Sequence, residues 1–227
     1  MQEVEMKKTA LTFLAVWLGS MALAAQSYNL KIGLFLPSLK SDLWQINREN
    51  LAFKKSDMNN AYFAFEYEYF LNRSSSLSLE LGSYNRILYS EYKDYEYDNG
   101  TPIYQNLSLR ITPVEVTYRF YPVGHRRVFI PYLGVGGGVY FWRYAQWGEF
   151  IDFETGDVNE GNAVTRTATL GFSARAGFIL RLQRSLGIAF EGKYQYLRGR
   201  LSDYFEGFNQ LDLSGFTATI GVNIYLR

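Results

Sequence analysis

The residues best suited to acid–base chemistry are one histidine and one pair of nearby carboxylates. Glu66 and Glu68 are two positions apart, so on a strand they share a face, and paired carboxylates can serve as acid and base. The only histidine, His125, lies in the polar segment GHRR, which has the composition of a solvated turn. The 227 residues include no cysteine and no histidine cluster, so we predict no metal site and no cofactor. We therefore expect a protein that is not an enzyme.

The glycine-rich stretch PYLGVGGGVYFW, residues 131–142, raises the possibility of a phosphate-binding loop. A dinucleotide fingerprint needs glycine at its first, third and sixth positions, but the sixth position counted from Gly134 is Val139. The β-branched and aromatic residues that follow favour a strand over a helix. We interpret this stretch as a strand whose glycines make room for bulky interior side chains.

Charged residues alternate with apolar ones in several segments, which places them on one face of a sheet. Two interpretations of this set are open: a charged path or gate for ions, and a salt-bridge plug that fills a narrow barrel. Because unpaired buried charges are costly, and seven basic residues face five acidic ones, we favour the plug. The predicted interior network consists of Lys31, Glu66, Glu68, Glu80, Arg86, Arg110, Glu115, Arg119, Arg175, Arg181, Glu191 and Lys193.

These side chains must be positioned by strands, because the 36 tyrosines and phenylalanines and the 20 glycines favour an all-β architecture. The connections at 72–76, 122–127 and 183–185 are short, whereas those at 37–59, 90–106, 144–163 and 200–212 are long. Alternating short and long connections are typical of an eight-stranded antiparallel up-and-down transmembrane β-barrel. The predicted strands are 28–36, 60–71, 76–89, 107–121, 128–143, 164–182, 185–199 and 213–226.

Each predicted strand has one apolar face, which would face lipid in a membrane barrel and the interior in a soluble one. Charges opposite the apolar face favour the membrane barrel, and a soluble lipocalin-like ligand binder is the weaker alternative. The fourth strand changes parity, since its apolar residues are Leu107, Leu109 and Ile111 before Pro113 but Val114 and Val116 after it. A bulge at Thr112–Pro113 would keep all of them on the lipid side and Arg110 inside.

The first 25 residues resemble a secretory signal peptide, with Lys7 and Lys8 before an apolar run and a small-residue cleavage pattern at Ala22–Leu23–Ala24. Translation is expected to start at Met6, and residues 26–227 are expected to form one barrel domain. With 23 basic and 22 acidic residues the charge is nearly balanced, so nucleic acid is not an expected partner. The expected partners are outer-membrane lipid and the barrel assembly machinery, and a monomer is expected.

The long connections are the predicted site of any specific recognition. Tyrosine-rich positions there are candidates for contact with a protein or glycan, and the alternative is an outer aromatic girdle with a solvated hairpin tip. The apolar positions of the third long connection either pack as a lid or contact a hydrophobic ligand. Trp44, Leu51 and Phe53 of the first long connection could cover the barrel mouth. The candidate recognition residues are Tyr92, Tyr95, Tyr97, Trp147, Phe150 and Phe153.

The signal peptide, the eight amphipathic strands and the segments ITPVEVTYRFYP and IPYLGVGGGVYFW together resemble the bacterial outer-membrane β-barrel domain superfamily. This group includes the opacity proteins, the OmpW-like proteins and the membrane domain of outer-membrane protein A. The resemblance implies location in the outer membrane. One departure is the C-terminus, since such proteins usually end on an aromatic residue and this chain ends IYLR.

From this we expect a non-enzymatic protein that contributes to envelope structure and to surface recognition through external loops. The alternative is a passive channel for small or hydrophobic molecules, which the resemblance to the OmpW-like group implies.

Overall fold

The computed structural model describes residues 26–153, 155–208 and 210–226. The predicted signal peptide lies outside these residues. Most of the described chain is strand, and these residues include no helix long and apolar enough to cross a membrane. The strands are β1 Gln26–Pro37, β2 Asn60–Asn72, β3 Ser75–Glu96, β4 Pro102–Phe120, β5 Phe129–Ile151, β6 Val158–Arg181, β7 Leu186–Tyr196, β8 Arg198–Arg200, β9 Gln210–Asp212 and β10 Gly215–Leu226. Among the described residues the one α-helix, α1, is Asp42–Asn50.

Eight strands close into a barrel in the order β1–β2–β3–β4–β5–β6–β7–β10, and β10 pairs with β1 from Gln26↔Leu226 to Pro37↔Gly215. All neighbours are antiparallel, which confirms the predicted architecture. The strands are staggered around the barrel. Following cross-strand register partners from Val139 on β5 through β4 and once round the barrel leads back to β5 at Phe129, so the stagger is ten residues towards the short turns. A closed barrel with this stagger has strands tilted by about 40° to its axis.

The outer surface of the barrel is apolar. Leu30, Leu133 and Leu170 are 57%, 58% and 73% exposed, and other exposed apolar side chains on the outer face include Ile32, Val135 and Phe172. The inward faces carry the charges, which is the reverse of a soluble barrel. The lipocalin-like alternative is therefore wrong.

Two of the predicted long loops are mostly strand. β3 and β4 continue to a turn at 97–101, β5 continues to Ile151, and β6 begins at Val158. Register pairs such as Glu91↔Tyr104 and Trp147↔Asn106 hold these extensions together. The predicted strand ends were too early because cross-strand pairing continues well past the apolar outer belt.

The predicted bulge in β4 is absent, since β4 and β5 pair without interruption from Gln105↔Gly148 to Phe120↔Leu133. Leu107, Leu109 and Ile111 therefore point into the barrel, where each is at most 2% exposed. Arg110, between them, lies exposed on the outside, so its predicted interior position is wrong.

An apolar core explains why this inward face tolerates leucine and isoleucine. Helix α1 follows Ser41 and lies over the outer end of the barrel, where Trp44 is fully buried and its Nε1 donates to the Asp212 carbonyl oxygen at 3.0 Å. Leu51 and Phe53 are also buried in this core, together with residues from β3, β4, β5 and the β8–β9 hairpin. The barrel thus has a charged layer towards its short turns and an apolar core towards its long connections.

The lipid-facing surface predicts a depth-dependent cost for charge. Leu81 is 52% exposed within the apolar belt, and Tyr89 lies on the same face of β3 towards its outer end. We expect Leu81→Arg to lower the free energy of unfolding by about 2–4 kcal/mol and Tyr89→Arg by about 0–1 kcal/mol. Urea titration of folding into lipid vesicles measures both, and equal costs would contradict the assignment of this face to lipid.

Candidate functional site

Nine interior charges lie in one layer, in which three neighbouring carboxylates face two neighbouring cations across the lumen. Glu66, Glu80 and Glu115 are consecutive register partners on β2, β3 and β4, so three carboxylates stand side by side. Arg175 and Lys193 are partners on β6 and β7. Like charges directly opposite each other in a sheet are destabilising. The repulsion among the carboxylates and the repulsion between the two cations therefore require opposite charges from the facing strands.

Ion pairs join these two walls across the lumen. Lys193 Nζ lies 2.7 Å from Glu80 Oε1 and 2.6 Å from Glu115 Oε2. Arg175 Nη1 lies 2.9 Å from Glu80 Oε2, and its Nη2 lies 3.5 Å from Glu115 Oε1. Glu80 is consequently held by two cations from the facing strands.

Lys31 and Arg119 complete the layer from β1 and β4. Lys31 Nζ lies 3.1 Å from Glu66 Oε2, 2.8 Å from Glu80 Oε2 and 2.9 Å from Glu191 Oε1. Arg119 Nη2 donates to Glu66 Oε2 at 2.7 Å and to Glu191 Oε2 at 2.8 Å. The contacts connect six strands of the wall through side chains alone.

Neutral hydroxyl groups satisfy the carboxylate oxygens further. Tyr62 donates to Glu80 at 3.1 Å, Tyr132 to Glu191 at 2.9 Å and Ser173 to Glu115 at 2.6 Å. Sequence reasoning missed these donors, although their inward parity on the same strands was the available signal. Glu68, at the edge of the layer, accepts hydrogen bonds from Ser27, Ser76 and Tyr121 and lies 3.6 Å from Arg119.

The layer is almost inaccessible to solvent. The nine ionised side chains, four cations and five carboxylates, are each at most 3% exposed. A Cβ at Gly134 would lie 2.9 Å from Arg175 Cγ, and one at Gly136 would lie 2.6 Å from Thr117 Oγ1. The glycine stripe thus provides the space that the interior side chains occupy. Each carboxylate of the layer is thus held by cations from other strands of the wall.

The remaining predicted network residues lie outside this layer. Arg86 is half-buried and lies on the inward face of β3, towards the outer end. Arg181 lies near the short turns with its guanidinium 4.1 Å from the centre of the Tyr225 ring. Arg110 lies on the exterior, because the unbroken parity of β4 turns it away from the lumen.

The predicted recognition residues divide into buried, half-buried and exposed groups. Tyr92 is buried in the outer apolar core and pairs with Leu51 through a β-bridge, so its predicted role in ligand contact is wrong. Trp147 and Phe150 are half-buried on β5. Tyr95, Tyr97 and Phe153 are exposed at the hairpin ends.

His125 lies in the short turn after β4, at the opposite end from these hairpins. Its Nδ1 donates to the Arg73 carbonyl oxygen at 3.0 Å, and its ring stacks on Phe70 with 4.3 Å between centroids. The residue is packed into the turn and serves to join two short connections.

Comparison with known proteins identifies the fold. No protein-family model and no curated protein sequence matches the chain. The outer membrane protein OprG from Pseudomonas aeruginosa is 12% identical, with 90% of this chain and 96% of that chain covered and a TM-score of 0.55. Ail, the attachment invasion locus protein of Yersinia pestis, is 10% identical, with 89% of this chain and 99% of that chain covered and a TM-score of 0.44. The outer membrane protease OmpT from Escherichia coli is 8% identical, with 89% of this chain and 97% of that chain covered and a TM-score of 0.42.

The likeness to OprG shows a shared barrel fold. Together with the apolar exterior and the polar, filled interior, it makes this chain an eight-stranded transmembrane β-barrel.

The ion-pair layer predicts a large stability loss when one partner is removed. Lys193→Met leaves Glu80 and Glu115 as neighbouring buried carboxylates with fewer cations, so we expect a loss of about 3–5 kcal/mol in the free energy of unfolding. Urea titration measures this loss, and Arg184→Met in an exposed turn is the matched control with little expected effect. Adding Glu80→Gln to Lys193→Met should recover part of the stability. A single variant as stable as the control would contradict the cross-lumen pairing.

The packing of His125 predicts its titration. Burial, the largest effect, lowers the pKa of His125 below its ordinary value of 6.5. The neutral imidazole is favoured in the folded state, so its contribution to stability is present above about pH 6.5 and is lost as pH falls through the lowered pKa. Proton NMR of the single histidine in detergent micelles gives the midpoint, and a midpoint at or above 6.5 would contradict the packed turn.

Proposed function

We propose that this protein is a non-enzymatic component of the outer membrane that stabilises the envelope and presents its outer hairpins for recognition. The observation that carries the proposal is the ion-pair layer, in which nine buried charges fill the lumen and join opposite walls. Charges held this way add rigidity to the wall and leave no aqueous route through that layer.

The apolar core above the layer gives independent support for a closed barrel. Trp44, Tyr144 and Leu107 are fully buried there, and the rings of Trp44 and Tyr144 are 5.1 Å apart in an edge-on arrangement. Asn47 of α1 donates to the Tyr144 hydroxyl at 2.8 Å, which fixes the helix over the barrel mouth. A solute would have to displace this helix before it reached the ionised layer.

The outer hairpins support the recognition part of the proposal. The Tyr97 hydroxyl donates to Glu149 at 2.8 Å, and the Tyr104 backbone amide donates to the same carboxylate at 2.7 Å, so the two hairpins are tied together. At their ends Tyr95 packs edge-on against Phe153 with 5.5 Å between centroids, and both rings remain exposed. Exposed rigid aromatic side chains on a fixed scaffold suit contact with a protein or glycan.

The absence of enzymatic activity is also part of the proposal. The interior carboxylates are engaged by cations, and His125 lies in a turn at the far end from the exposed hairpins. An acid–base pair near the outer surface would need groups that these residues do not provide.

Conductance of the folded protein tests the closed barrel. In a planar bilayer we expect no discrete current steps from protein whose folding is verified by heat-modifiable migration on a gel. A 16-stranded porin in the same bilayer is the positive control. Reproducible steps from the folded chain would contradict the proposal and favour a passive channel, and the Lys193→Met variant would then report whether the ionised layer gates it.

A further inference from the structure

Three arginines form a row on the outside of the barrel. Arg110 on β4 pairs in register with Arg143 on β5, and Arg143 pairs with Arg166 on β6. All three side chains are exposed. Register partners in antiparallel strands have Cα atoms about 5 Å apart, so the three guanidinium groups can reach a common point.

Nothing in the described part of the chain compensates this row. No carboxylate among the described residues forms an ion pair with any of the three, in contrast to Lys31, Arg119, Arg175 and Lys193 of the interior layer. Like charges directly opposite each other destabilise a sheet, and here two such pairs are consecutive. An anion supplied from outside the protein would convert this repulsion into attraction.

The row lies at the outer edge of the apolar belt. Phe141, two residues before Arg143 on the same face of β5, is 52% exposed, and Leu170 on β6 is 73% exposed. Because the strands are tilted and lie side by side, each step along the row from Arg166 to Arg110 lies about 3 Å nearer the membrane. It therefore spans about 6 Å of height, similar to the thickness of the headgroup region on one side of a bilayer.

We propose that Arg110, Arg143 and Arg166 bind a phosphate group on the head of an outer-leaflet glycolipid whose acyl chains lie along Phe141 and Leu170. Guanidinium groups match phosphate in geometry and can donate two parallel hydrogen bonds each. The source is a lipid because the anion site adjoins exposed apolar side chains that a free anion would leave bare. This inference does not depend on whether the barrel conducts.

The test uses the folded chain in detergent micelles with bisphosphorylated lipid A as the probe and native mass spectrometry as the measurement of bound lipid. A triple variant, Arg110→Gln, Arg143→Gln and Arg166→Gln, should bind the probe more weakly by about a hundredfold, since each arginine near a membrane surface contributes on the order of fivefold. The matched control removes the same charge from exposed positions at the opposite rim, with Arg126→Gln, Arg127→Gln and Arg184→Gln, and should bind like the unchanged protein.

Three outcomes would overturn the proposal: equal binding by the triple variant, equal binding of fully dephosphorylated lipid A, or displacement of the lipid by millimolar inorganic phosphate. The last would assign the row to a free anion. Folding of each variant is checked by heat-modifiable migration. Arg143→Gln alone, at the centre of the row, replaces the triple variant if that does not fold, and its binding should fall about fivefold.

Discussion

The rest of this structure depends on the pairing of charges across a lumen that only side chains can fill. An eight-stranded barrel leaves no room for bulk water, so each interior charge must find its partner on another strand. Glu66, Glu80 and Glu115 repel one another along one wall and are held by Lys193 and Arg175 from the other. A register slip of one residue would turn such a carboxylate towards lipid and break the layer. The charges thus specify the register as well as closing the barrel.

The same narrow interior changes character along the axis. On the side of the long connections the ionised layer is followed by an apolar core closed by α1 and the β8–β9 hairpin. On the side of the short turns it is followed by a smaller hydrophobic cluster that includes Phe70, Ile130 and Ile179. The separation of the ionised layer from the apolar core follows from the environment outside the barrel at each height along its axis. Within the membrane the outer side must be apolar, so the inner side carries the polar residues, whereas beyond the membrane Leu107 and Leu109 can turn inward against Trp44 and leave polar groups outside. Along a single strand, apolar side chains therefore point outward to lipid within the membrane and inward to the core beyond it.

This reversal explains which features could be predicted from the sequence. Alternation within the membrane identifies eight strands, the lipid face and the positions of nine interior charges, because both the lipid and the closed sheet impose a period of two. It cannot identify the side to which Leu109 points, since lipid and a core built from α1, some 60 residues earlier in the chain, are equally apolar environments. The interior position predicted for Arg110 is wrong for this reason. The loop position predicted for Tyr92 is wrong because Leu51, which bridges to it, lies 41 residues earlier in the chain.

The position of Arg110 also shows how the tilt of the strands determines which residue types occur along one row of cross-strand register partners. The row that carries Arg166, Arg143 and Arg110 continues through Asn85 on β3 towards Leu34 on β1, which pairs with Ala61 and Ala218. Because the row descends as it passes round the barrel, its arginines stand at headgroup level on β4 to β6, and its later members enter the hydrocarbon, where Leu34 is 55% exposed. Charge is thus confined to the one sector of the row that can reach phosphate.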